Sequence, residues 1–431
     1  MLIQHALSDI VLDPSCMDDY DPNSMPVDKA RAFIRQFLSP VNAVEIVSLR
    51  DTLGRVLAAD ILSPCNVPNH NNSAMDGYAY HIDSVQNNSN QSLKIIGTAF
   101  AGNAFNGNVG LGECVRIMTG AVMPKGANSV SMQERVSLTG DNITLNETPK
   151  SGANVRHAGE DLKLNQVVLA VGHLIRPADL GLIASLGIGE LQVFRKLKVA
   201  FFSTGDELIQ IGQPLAEGQI YDSNRYTVYG MLTRLGVELV DMGVVRDEPT
   251  LLESALLEAA KFADVVITTG GVSVGEADYM KDLLARHGQV LFWKIAMKPG
   301  RPLAFGKVNS VTNTAHYFGL PGNPVSTMVT FYQFVREAIT ILMGQTNPKP
   351  LPLLNAICTT DIKKMTGRTE FQRGILYIAD DGDWKVKPTE NQSSGVLRSM
   401  SEANCFIVLA DSISNIAAGT MVKVQILEGL I

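Results

Sequence analysis

The hydrophobic pattern of residues 197–347 alternates between short apolar runs and segments with helical periodicity. Each apolar run is rich in β-branched or aromatic residues and ends in a polar or glycine-containing turn, as in residues 197–204, LKVAFFST. A regular alternation of strand and helix is typical of a parallel sheet with crossover helices. The pattern therefore predicts a central three-layer α/β domain with a mostly parallel sheet.

The most distinctive of these units is residues 264–279, DVVITTGGVSVGEADY. Its apolar run, Val265–Ile267, predicts a strand buried on both faces, and a helix is predicted to begin near Tyr279. Gly270 and Gly271 follow the strand at once, and a strand ending in glycines lets a ligand approach the backbone because no Cβ intervenes. Ligands of open α/β sheets sit beyond the carboxyl ends of the strands, so we expect a binding site here.

The segments outside the central domain show other hydrophobic patterns. Apolar periodicity predicts helices at Pro26–Leu38, Leu49–Leu57 and Pro177–Leu186, whereas two further segments read as short strands separated by Asn and Gly clusters. The chain is therefore predicted to be a multidomain α/β protein. Its predicted parts are an N-terminal extension (1–24), a helical linker (25–62 and 155–196), an inserted small β domain (63–154), the α/β domain (197–347) and a C-terminal β-barrel-like domain (348–431).

Composition and charge narrow the function classes. The chain has 431 residues and a formal net charge of -7, which disfavours binding to nucleic acid through overall charge. No apolar run approaches the length of a membrane span, and the acidic N-terminus is not a secretory signal. The five cysteines are scattered without C-x-x-C spacing, which indicates reduced thiols rather than a cysteine zinc site. We expect a cytoplasmic protein with neither a nucleic-acid nor a membrane partner.

Every informative polar cluster of the central domain follows a predicted strand. Because the carboxyl ends of parallel strands meet at one edge of a sheet, these clusters are expected to face one crevice. Carboxylates beside phosphates usually hold Mg²⁺, and lysine or arginine neutralises an oxyanion. The clusters predict an anionic, phosphorylated substrate with a divalent metal. They are Asp206–Glu207, Asp247–Glu248, Gly270–Asp278, Lys294 with Lys298 and Arg301, and Pro321–Pro324.

Each cluster also has a simpler interpretation. Asp247 could only cap a helix, Asp206 and Glu207 could be solvated turn residues, and Lys294 could lie on the exposed face of an edge strand. The sequence PGNP at residues 321–324 could be a turn with proline at a helix start. The joint functional interpretation is favoured, because chance alone would rarely place all five clusters at strand ends.

Several motifs in order along the chain resemble the MoeA–gephyrin family, the molybdopterin molybdenumtransferases. The resemblance covers nearly the whole chain from about Pro26, and the motifs taken together are highly specific. In the central domain they are STGDEL (203–208), IYDSNRY (220–226), TTGGVSVGEADY (268–279), KIAMKPGRPLAFG (294–306) and GLPGNPVS (319–326). Elsewhere they are NSAMDGYA (72–79), RIMTGA (116–121), GEDL (159–162), FQRG (371–374) and NCFIVL (404–409).

The resemblance implies a reaction in molybdenum cofactor biosynthesis. Molybdenum from molybdate is inserted into the dithiolene of adenylylated molybdopterin, and AMP is released in the presence of Mg²⁺. The implied catalytic residues are Glu207, Asp247, Asp278, Lys294 and Lys298, of which the three carboxylates are candidate Mg²⁺ ligands. The candidate substrate-binding residues are Gly270, Gly271, Ser273, Arg301, Pro321, Asn323 and Pro324, together with Asp76, Thr119, Asp161, Arg373 and Ser394 outside the sheet domain.

The resemblance also implies an elongated four-domain homodimer whose site is completed by the partner subunit. The linker segments Pro26–Leu57 and Pro177–Leu186 are expected to carry most of the dimer interface, and transient contact with other proteins of the same biosynthesis is expected. Two departures from the family pattern are Asn71, commonly Asp, and Ser393, commonly Gly; they bear on the outlying positions rather than on the central site.

Two alternative functions fit parts of the sequence. The sheet domain also resembles the related adenylyltransferase, which makes adenylylated molybdopterin from ATP, but the two β domains favour the molybdenum-inserting branch. A non-enzymatic scaffold is the second, because gephyrin uses the same architecture to bind a receptor peptide. The crevice keeps its carboxylates and lysines, which argues against a purely structural role.

Overall fold

The computed structural model of the chain describes residues 24–85, 91–271, 278–346 and 348–427. The chain divides into two compact units, each of which is described by itself. The first unit is Met1–Ala58, Gly172–Arg176 and Glu190–Ile431, and the second is Ala59–Val171 and Pro177–Gly189.

The helices are short and concentrate in the first unit. A π-helical turn, Phe331–Val335, joins two of them into one longer segment. In chain order the helices are α1 (Val27–Gln36), α2 (Pro177–Ser185), α3 (Ser223–Leu235), α4 (Pro249–Phe262), α5 (Asp278–His287), α6 (Pro324–Thr330), α7 (Arg336–Leu342) and α8 (Arg398–Glu402).

The strands form three larger sheets and several two-stranded pairs. In chain order they are β1 (Val44–Ser48), β2 (Ile61–Leu62), β3 (Asn72–Ser73), β4 (Gly77–Tyr80), β5 (Leu93–Ala99), β6 (Glu113–Ile117), β7 (Ser129–Met132), β8 (Val136–Thr139), β9 (Asn142–Leu145), β10 (Val155–Arg156), β11 (Val167–Leu169), β12 (Glu190–Phe194), β13 (Lys198–Thr204), β14 (Leu208–Ile209), β15 (Ile220–Tyr221), β16 (Glu238–Val245), β17 (Val265–Thr269), β18 (Gly288–Lys294), β19 (Met297–Lys298), β20 (Pro302–Asn309), β21 (Thr314–Leu320), β22 (Leu353–Cys358), β23 (Thr369–Ile378), β24 (Trp384–Pro388), β25 (Cys405–Leu409) and β26 (Met421–Ile426).

The central sheet has six strands in the order β16-β13-β17-β21-β20-β18. The first four strands are parallel to one another, whereas β20 runs antiparallel to both β21 and β18. The reversal follows from the connections, since residues 295–301 and 310–313 are too short for a crossover helix, which needs a dozen residues or more. The predicted mostly parallel sheet is confirmed, with β20 as the exception.

Alternate residues of the central strands enter cores on opposite faces of the sheet. In β13, Val199 and Phe201 belong to the core that contains α3 and α6, and Ala200 and Phe202 belong to the core that contains α4 and α5. This period of two, with both faces buried, explains why the strand reads as a continuous apolar run. The result is the predicted three-layer arrangement.

The C-terminal region closes into a five-stranded barrel. Strands pair around the ring β22-β24-β23-β25-β26 and back to β22, so the ring has no free strand edge. Its interior contains Val386, Ile407 and Val424, all fully buried. The short strand β19, which precedes the central β20, adds to the barrel by pairing with β23.

The second unit is mostly β structure. Its six-stranded sheet has the order β7-β4-β6-β5-β9-β8 and separates two small cores, one around Tyr80 and one around Val115. The pairs β2–β11 and β3–β10 and the helix α2 complete the unit. The division of the chain into five parts stays a prediction.

One predicted helix is wrong. Residues Leu49–Leu57, expected to be helical, form a single 3₁₀ turn at Leu49–Thr52, and Gly54 then adopts a φ of 73° that ends it. The preceding residues form β1, which pairs antiparallel with β12 about 150 residues later, so long-range pairing overrides the local apolar pattern. The predicted helices Pro26–Leu38 and Pro177–Leu186 are confirmed as α1 and α2, but the linker is mostly not helical. None of the helices formed by the described residues is long and apolar enough to cross a membrane.

Candidate active site at the edge of the central sheet

The predicted site residues of the central domain converge because of strand direction. Strands β13, β16, β17 and β21 are parallel and end at one edge, and the two reversals around β20 make β18 end there as well. Strand β20 begins at that edge for the same reason. The residues that follow or precede these strand ends are Glu207, Asp247, Gly270, Gly271, Lys294, Lys298, Arg301, Pro321, Asn323 and Pro324.

The loops after β13 and β16 bring acidic residues side by side. The backbone N–H of Asp247 donates to Oδ1 of Asp206 at 3.3 Å, which links the two loops directly. The carboxylate of Glu207 folds back over Gly205, since a Cβ built on this glycine would lie 2.6 Å from Oε2 of Glu207. Asp206, Glu207 and Asp247 are all exposed, so their charges face solvent at the sheet edge.

Asp247 does not occupy the N-cap position of α4. The residue at the N-cap of α4 is Glu248, followed by Pro249 in the first turn, and the Glu248 side chain makes no capping hydrogen bond. Asp247 lies one residue outside that position. The N-cap position that the simpler interpretation gave to Asp247 is therefore held by Glu248.

The turn after β17 needs glycine at two successive positions. Gly270 and Gly271 have φ values of 89° and 64°, in the left-handed region that favours glycine. A Cβ on Gly270 would overlap the carbonyl oxygen of Thr204 and lie 2.9 Å from its Oγ1. The ends of β13 and β17 therefore approach more closely than side chains would allow. At the crevice, the backbone of Gly270 and Gly271 is not covered by side chains of its own.

The basic residues lie on the opposite side of the crevice. Lys294 ends β18, and its carbonyl oxygen accepts the N–H of Met25 at 2.8 Å. This hydrogen bond holds the loop after β18 against the start of the described chain. Arg301 precedes β20 and donates through Nη2 to the hydroxyl of Ser24 at 3.4 Å. Lys298 belongs to β19, is exposed, and pairs with Glu370 of the barrel strand β23.

The PGNP turn is a rigid junction between β21 and α6. Asn323 occupies the N-cap position with Pro324 next, yet the Asn323 side chain makes no capping hydrogen bond. The hydroxyl of Thr327 instead donates to the carbonyl oxygens of Pro321 and Asn323 at 2.6 and 3.0 Å. The exposed amide of Asn323 is therefore available to a ligand. Pro321 is buried, and the Thr327 hydroxyl holds its carbonyl oxygen.

Arg373 organises a loop of the barrel that meets this junction. Its guanidinium is buried and donates to the Ser399 hydroxyl and to the carbonyl oxygens of Asn391 and Ser393 at 3.1–3.2 Å. Burial lowers the pKa of Arg373 to about 10. The loop that it holds continues to Ser394, whose carbonyl oxygen accepts the N–H of Val325 in the first turn of α6. Arg373 thereby positions Ser394 against the PGNP junction.

A polar cavity of about 390 Å³ connects these elements. It is lined by Lys298 and Pro299 from the sheet edge and by Glu370, Arg373 and other residues of the barrel. Three basic residues, Lys298, Lys363 and Arg373, line the cavity together with three acidic ones, Asp361, Glu370 and Glu390. The basic groups offer donors to an anion within a lining of mixed charge.

Three predicted residues belong to the second unit. The carboxylate of Asp76 accepts both the backbone N–H and the hydroxyl of Thr119 at 2.7 Å, and these hydrogen bonds lower the pKa of Asp76. Asp161 is exposed, and its backbone N–H donates to the carbonyl oxygen of Val67. Asp76 and Thr119 therefore form one fixed, exposed pair, and Asp161 stands apart from them in sequence.

Two predicted positions are only partly covered. Ser273 lies outside the described residues, as does the rest of 272–277. The helix α5 begins at Asp278, close to the predicted start at Tyr279, which places the Asp278 backbone on the segment leading away from β17. In the described ranges, no group of three His, Cys, Asp or Glu residues is arranged to hold a metal ion on its own.

The sequence reasoning missed a group of buried oxygens beside the glycine turn. Thr204 Oγ1, Asp222 Oδ2 and Asn224 Oδ1 are buried and have no hydrogen-bond partner among the described residues. Asn224 donates through Nδ2 to the carbonyl oxygen of Gly322 at 2.7 Å, and Asp222 caps α3 by accepting the N–H of Arg225. The motif IYDSNRY could have indicated them, because Asp before a helical pattern is a cap signal.

Comparison with known proteins matches the chain along its length. The model of the MoeA N-terminal region (domain I and II) matches residues 25–187. The model of a probable molybdopterin binding domain matches residues 200–340, which contain the sheet-edge crevice. The model of the MoeA C-terminal region (domain IV) matches residues 355–427, which contain the barrel.

Individual relatives agree with these matches. The chain is 45% identical over 402 residues to the molybdopterin molybdenumtransferase of Haemophilus influenzae, covering 93% of this chain and 98% of that protein. It is 34% identical to the molybdopterin molybdenumtransferase of a Nostoc species, covering 88% of each. It also matches the crystal structure of the molybdopterin biosynthesis moeA protein from Pyrococcus horikoshii, with a TM-score of 0.80, 29% identity and coverage of 94% and 100%. The predicted multidomain α/β fold is thereby confirmed.

Proposed function

Because this chain belongs to the MoeA family of molybdopterin molybdenumtransferases, enzymes of molybdenum cofactor biosynthesis, we propose that it inserts molybdenum from molybdate into adenylylated molybdopterin and releases AMP. The observation that carries the proposal is the convergence at one sheet edge. Carboxylates, a bare glycine backbone and lysines from separate loops meet there, beside a cavity that also contacts Arg373.

The two sides of the crevice suit different parts of the substrates. Lys294, Lys298 and Arg301 would neutralise the phosphates and the molybdate dianion, which need cations or N–H donors. Gly270 and Gly271 would let the ligand approach the backbone, and Asn323 with Pro321 and Pro324 would shape the opposite wall. Molybdate would bind in the cavity beside Lys298 and Arg373, and Ser394, which the barrel loop brings to the PGNP junction, would be a further contact.

The oxygen donors of the crevice fit Mg²⁺. Glu207 and Asp247 offer carboxylate oxygens from adjoining loops, and Mg²⁺ usually takes one or two carboxylates together with waters and substrate phosphates. Glu207, Asp247 and Asp278 would hold the ion. When bound, Mg²⁺ would offset charge on the diphosphate as AMP leaves.

The proposed activity is tested by a turnover assay with adenylylated molybdopterin, molybdate and Mg²⁺ that follows AMP release. In this assay Lys298→Ala is expected to raise the molybdate concentration for half-maximal rate about 10- to 100-fold, because hydrogen bonds to charged groups are worth about 1.5–3 kcal/mol. The Mg²⁺ dependence should change little. Molybdate and Mg²⁺ titrations of the variant measure both.

Lys307→Ala is the matched control for Lys298→Ala. Lys307 is an exposed lysine near the other end of β20, so its removal should leave both titrations unchanged. Equal effects of the two substitutions would contradict the role of Lys298. Adenylylation of molybdopterin from ATP without molybdate insertion would contradict the proposed activity itself and favour the adenylyltransferase alternative.

We further propose that the chain is a homodimer that uses the linker segments around α1 and α2. Val44 and Ile46 on β1 and the nearby Leu53 are between 50% and 65% exposed, a concentration of apolar surface typical of an interface. Ile46→Glu is therefore expected to shift the protein from dimer to monomer at micromolar concentration in sedimentation experiments. Val311→Glu, at a position that is 98% exposed, should not. A wild-type monomer at that concentration would contradict the proposal.

The remaining proposals concern the surroundings of the enzyme. We propose a cytoplasmic location, in keeping with the free thiols Cys65, Cys114, Cys358 and Cys405 in the described parts of the chain. Transient contact with other proteins of molybdenum cofactor biosynthesis is proposed because the substrate and product must pass between enzymes.

A further inference from the structure

Glu370 is a buried carboxylate in the lining of the cavity proposed for molybdate. Of the three acidic residues in that lining, Asp361 and Glu390 are exposed, whereas Glu370 is only 5% exposed. An exposed carboxylate is solvated by water, but a buried one loses that solvation and is usually paired with a cation. The binding of an anion alone does not explain a buried carboxylate at this position.

The carboxylate of Glu370 has few partners within the described residues. Its Oε2 accepts a hydrogen bond from Nε2 of Gln372 at 2.8 Å, and no other described residue donates to it. Burial lowers the pKa of the nearby Lys364, and the charge of Glu370 partly opposes that effect. The Nζ of Lys364 nevertheless donates to the carbonyl oxygens of Met365 and Ile413. Oε1 of Glu370 therefore accepts no hydrogen bond from the described chain and is left for a group inside the cavity.

Strand pairing holds Glu370 beside a cation that is proposed to bind molybdate. Lys298 of β19 and Glu370 of β23 are register partners in parallel strands, and both line the cavity. Register partners project from the same face of a sheet, on strands that lie about 4.8 Å apart. A molybdate ion held by Lys298 would consequently lie within reach of the Glu370 carboxylate.

The charge of molybdate calls for a proton between the ion and this carboxylate. Two negatively charged oxygens repel each other, but they attract when a proton lies between them and one donates it to the other. The proposed reaction supplies protons here, because the sulfurs of the substrate enter as thiols and an oxygen of molybdate must leave. A positioned carboxylate can accept such a proton and then donate it, as a general base and acid.

We propose that Glu370 transfers protons from the incoming thiols to the oxygen that leaves molybdate, an inference that rests on the proposed molybdenum insertion. Two S–H bonds and one Mo–O bond break, two Mo–S bonds and two O–H bonds form, and one water molecule leaves. Molybdenum stays in the +6 state, so the step needs neither an oxidant nor a reductant. The carboxylate takes each thiol proton as the sulfur attacks and gives it to the departing oxygen. Glu370 is therefore unchanged at the end of the step.

Glu370→Gln tests the transfer, because the amide keeps the shape of the side chain and still accepts from Gln372 but cannot carry the proton. We expect the kcat for molybdenum incorporation to fall about 100-fold, a usual contribution of general acid–base catalysis. The molybdate concentration for half-maximal rate should not rise, since the variant loses a repulsive charge. Molybdenum bound to the pterin product, followed over time at several molybdate concentrations, measures both quantities.

Two further variants separate proton transfer from charge and from folding. Glu390→Gln removes the same charge from an exposed position of the same lining, so its kcat should stay well above that of Glu370→Gln. In Glu370→Ala, added formate should restore part of the lost rate, because a small carboxylic acid can enter the space of the missing side chain and carry the proton. Melting temperatures of all three variants show whether each one is folded.

Four results would overturn the proposal. They are a wild-type kcat in Glu370→Gln, an equal loss of kcat in Glu370→Gln and Glu390→Gln, a raised molybdate requirement with unchanged kcat, and a lost rate in folded Glu370→Ala that formate does not relieve. The first three would remove proton transfer from Glu370, and the last would leave it a structural role. A wild-type protein that incorporates no molybdenum would instead contradict the proposed function, so the two failures are distinguishable.

Discussion

Replacing Asp278 by alanine is expected to slow AMP release on the order of a hundredfold or more while leaving the melting temperature nearly unchanged. Asp278 begins α5, and residues 272–277, which connect this helix to β17, lie outside the described ranges. A carboxylate that holds Mg²⁺ or contacts the substrate is lost entirely in the variant. A role confined to the ligand would leave the folded structure, and with it the melting temperature, nearly unchanged.

The alternative role of Asp278 predicts the opposite pair of results. A carboxylate that only favours the start of α5 would, when removed, reduce the free energy of unfolding by about 1 kcal/mol and leave turnover largely intact. Asp282→Ala is the matched control, because Asp282 is exposed one turn later on the same helix. Melting temperature, turnover and Mg²⁺ titration of both variants separate the two roles. Normal turnover with a lowered melting temperature would remove Asp278 from the proposed site.

The sheet edge could be predicted from the sequence because each of its signals is local. A β-branched run followed by glycines, or an apolar run followed by acids, identifies a strand end without knowledge of the neighbouring strands. Residues such as Glu207 and Pro321 then fall at one edge by the directional rule for α/β sheets alone. Strand β20 breaks that rule, yet the prediction survives because two reversals restore the direction of β18.

Features that depend on pairing across long sequence separations could not be predicted in the same way. The pairing of Lys298 with Glu370 and the contact of Ser394 with Val325 join segments about 70 residues apart. Arg373 reads as a charged residue in a strand, and only the fold reveals that it is buried and holds a loop of the barrel. The helix predicted at Leu49–Leu57 is wrong for the same reason. Long-range pairing with β12 determines the structure of this region, and its own apolar periodicity does not.

Gly270→Ala is expected to reduce the free energy of unfolding by several kcal/mol and to abolish turnover. The left-handed backbone at φ 89° alone disfavours a side chain by about 1–2 kcal/mol. The added Cβ would also overlap the carbonyl oxygen of Thr204, a backbone atom that cannot rotate away, so the ends of β13 and β17 must separate. The spacing of the loops that present Glu207 and Lys298 depends on those ends, so the stability and the proposed site are expected to fail together.

Gly322→Ala separates stability from ligand approach at the same rim. Gly322 has no positive φ, and a Cβ there would meet its nearest atom, the Cα of Gly270, at an ordinary 3.8 Å. The substitution is therefore expected to change the free energy of unfolding by less than about 1 kcal/mol. Because the added methyl group enters the crevice, the KM for adenylylated molybdopterin should rise while the melting temperature holds. Urea unfolding and steady-state kinetics of both variants provide the comparison. If Gly270→Ala unfolds at the same urea concentration as the wild type, the fold does not require the close approach of β13 and β17. The close approach would then not explain why glycine stands at position 270.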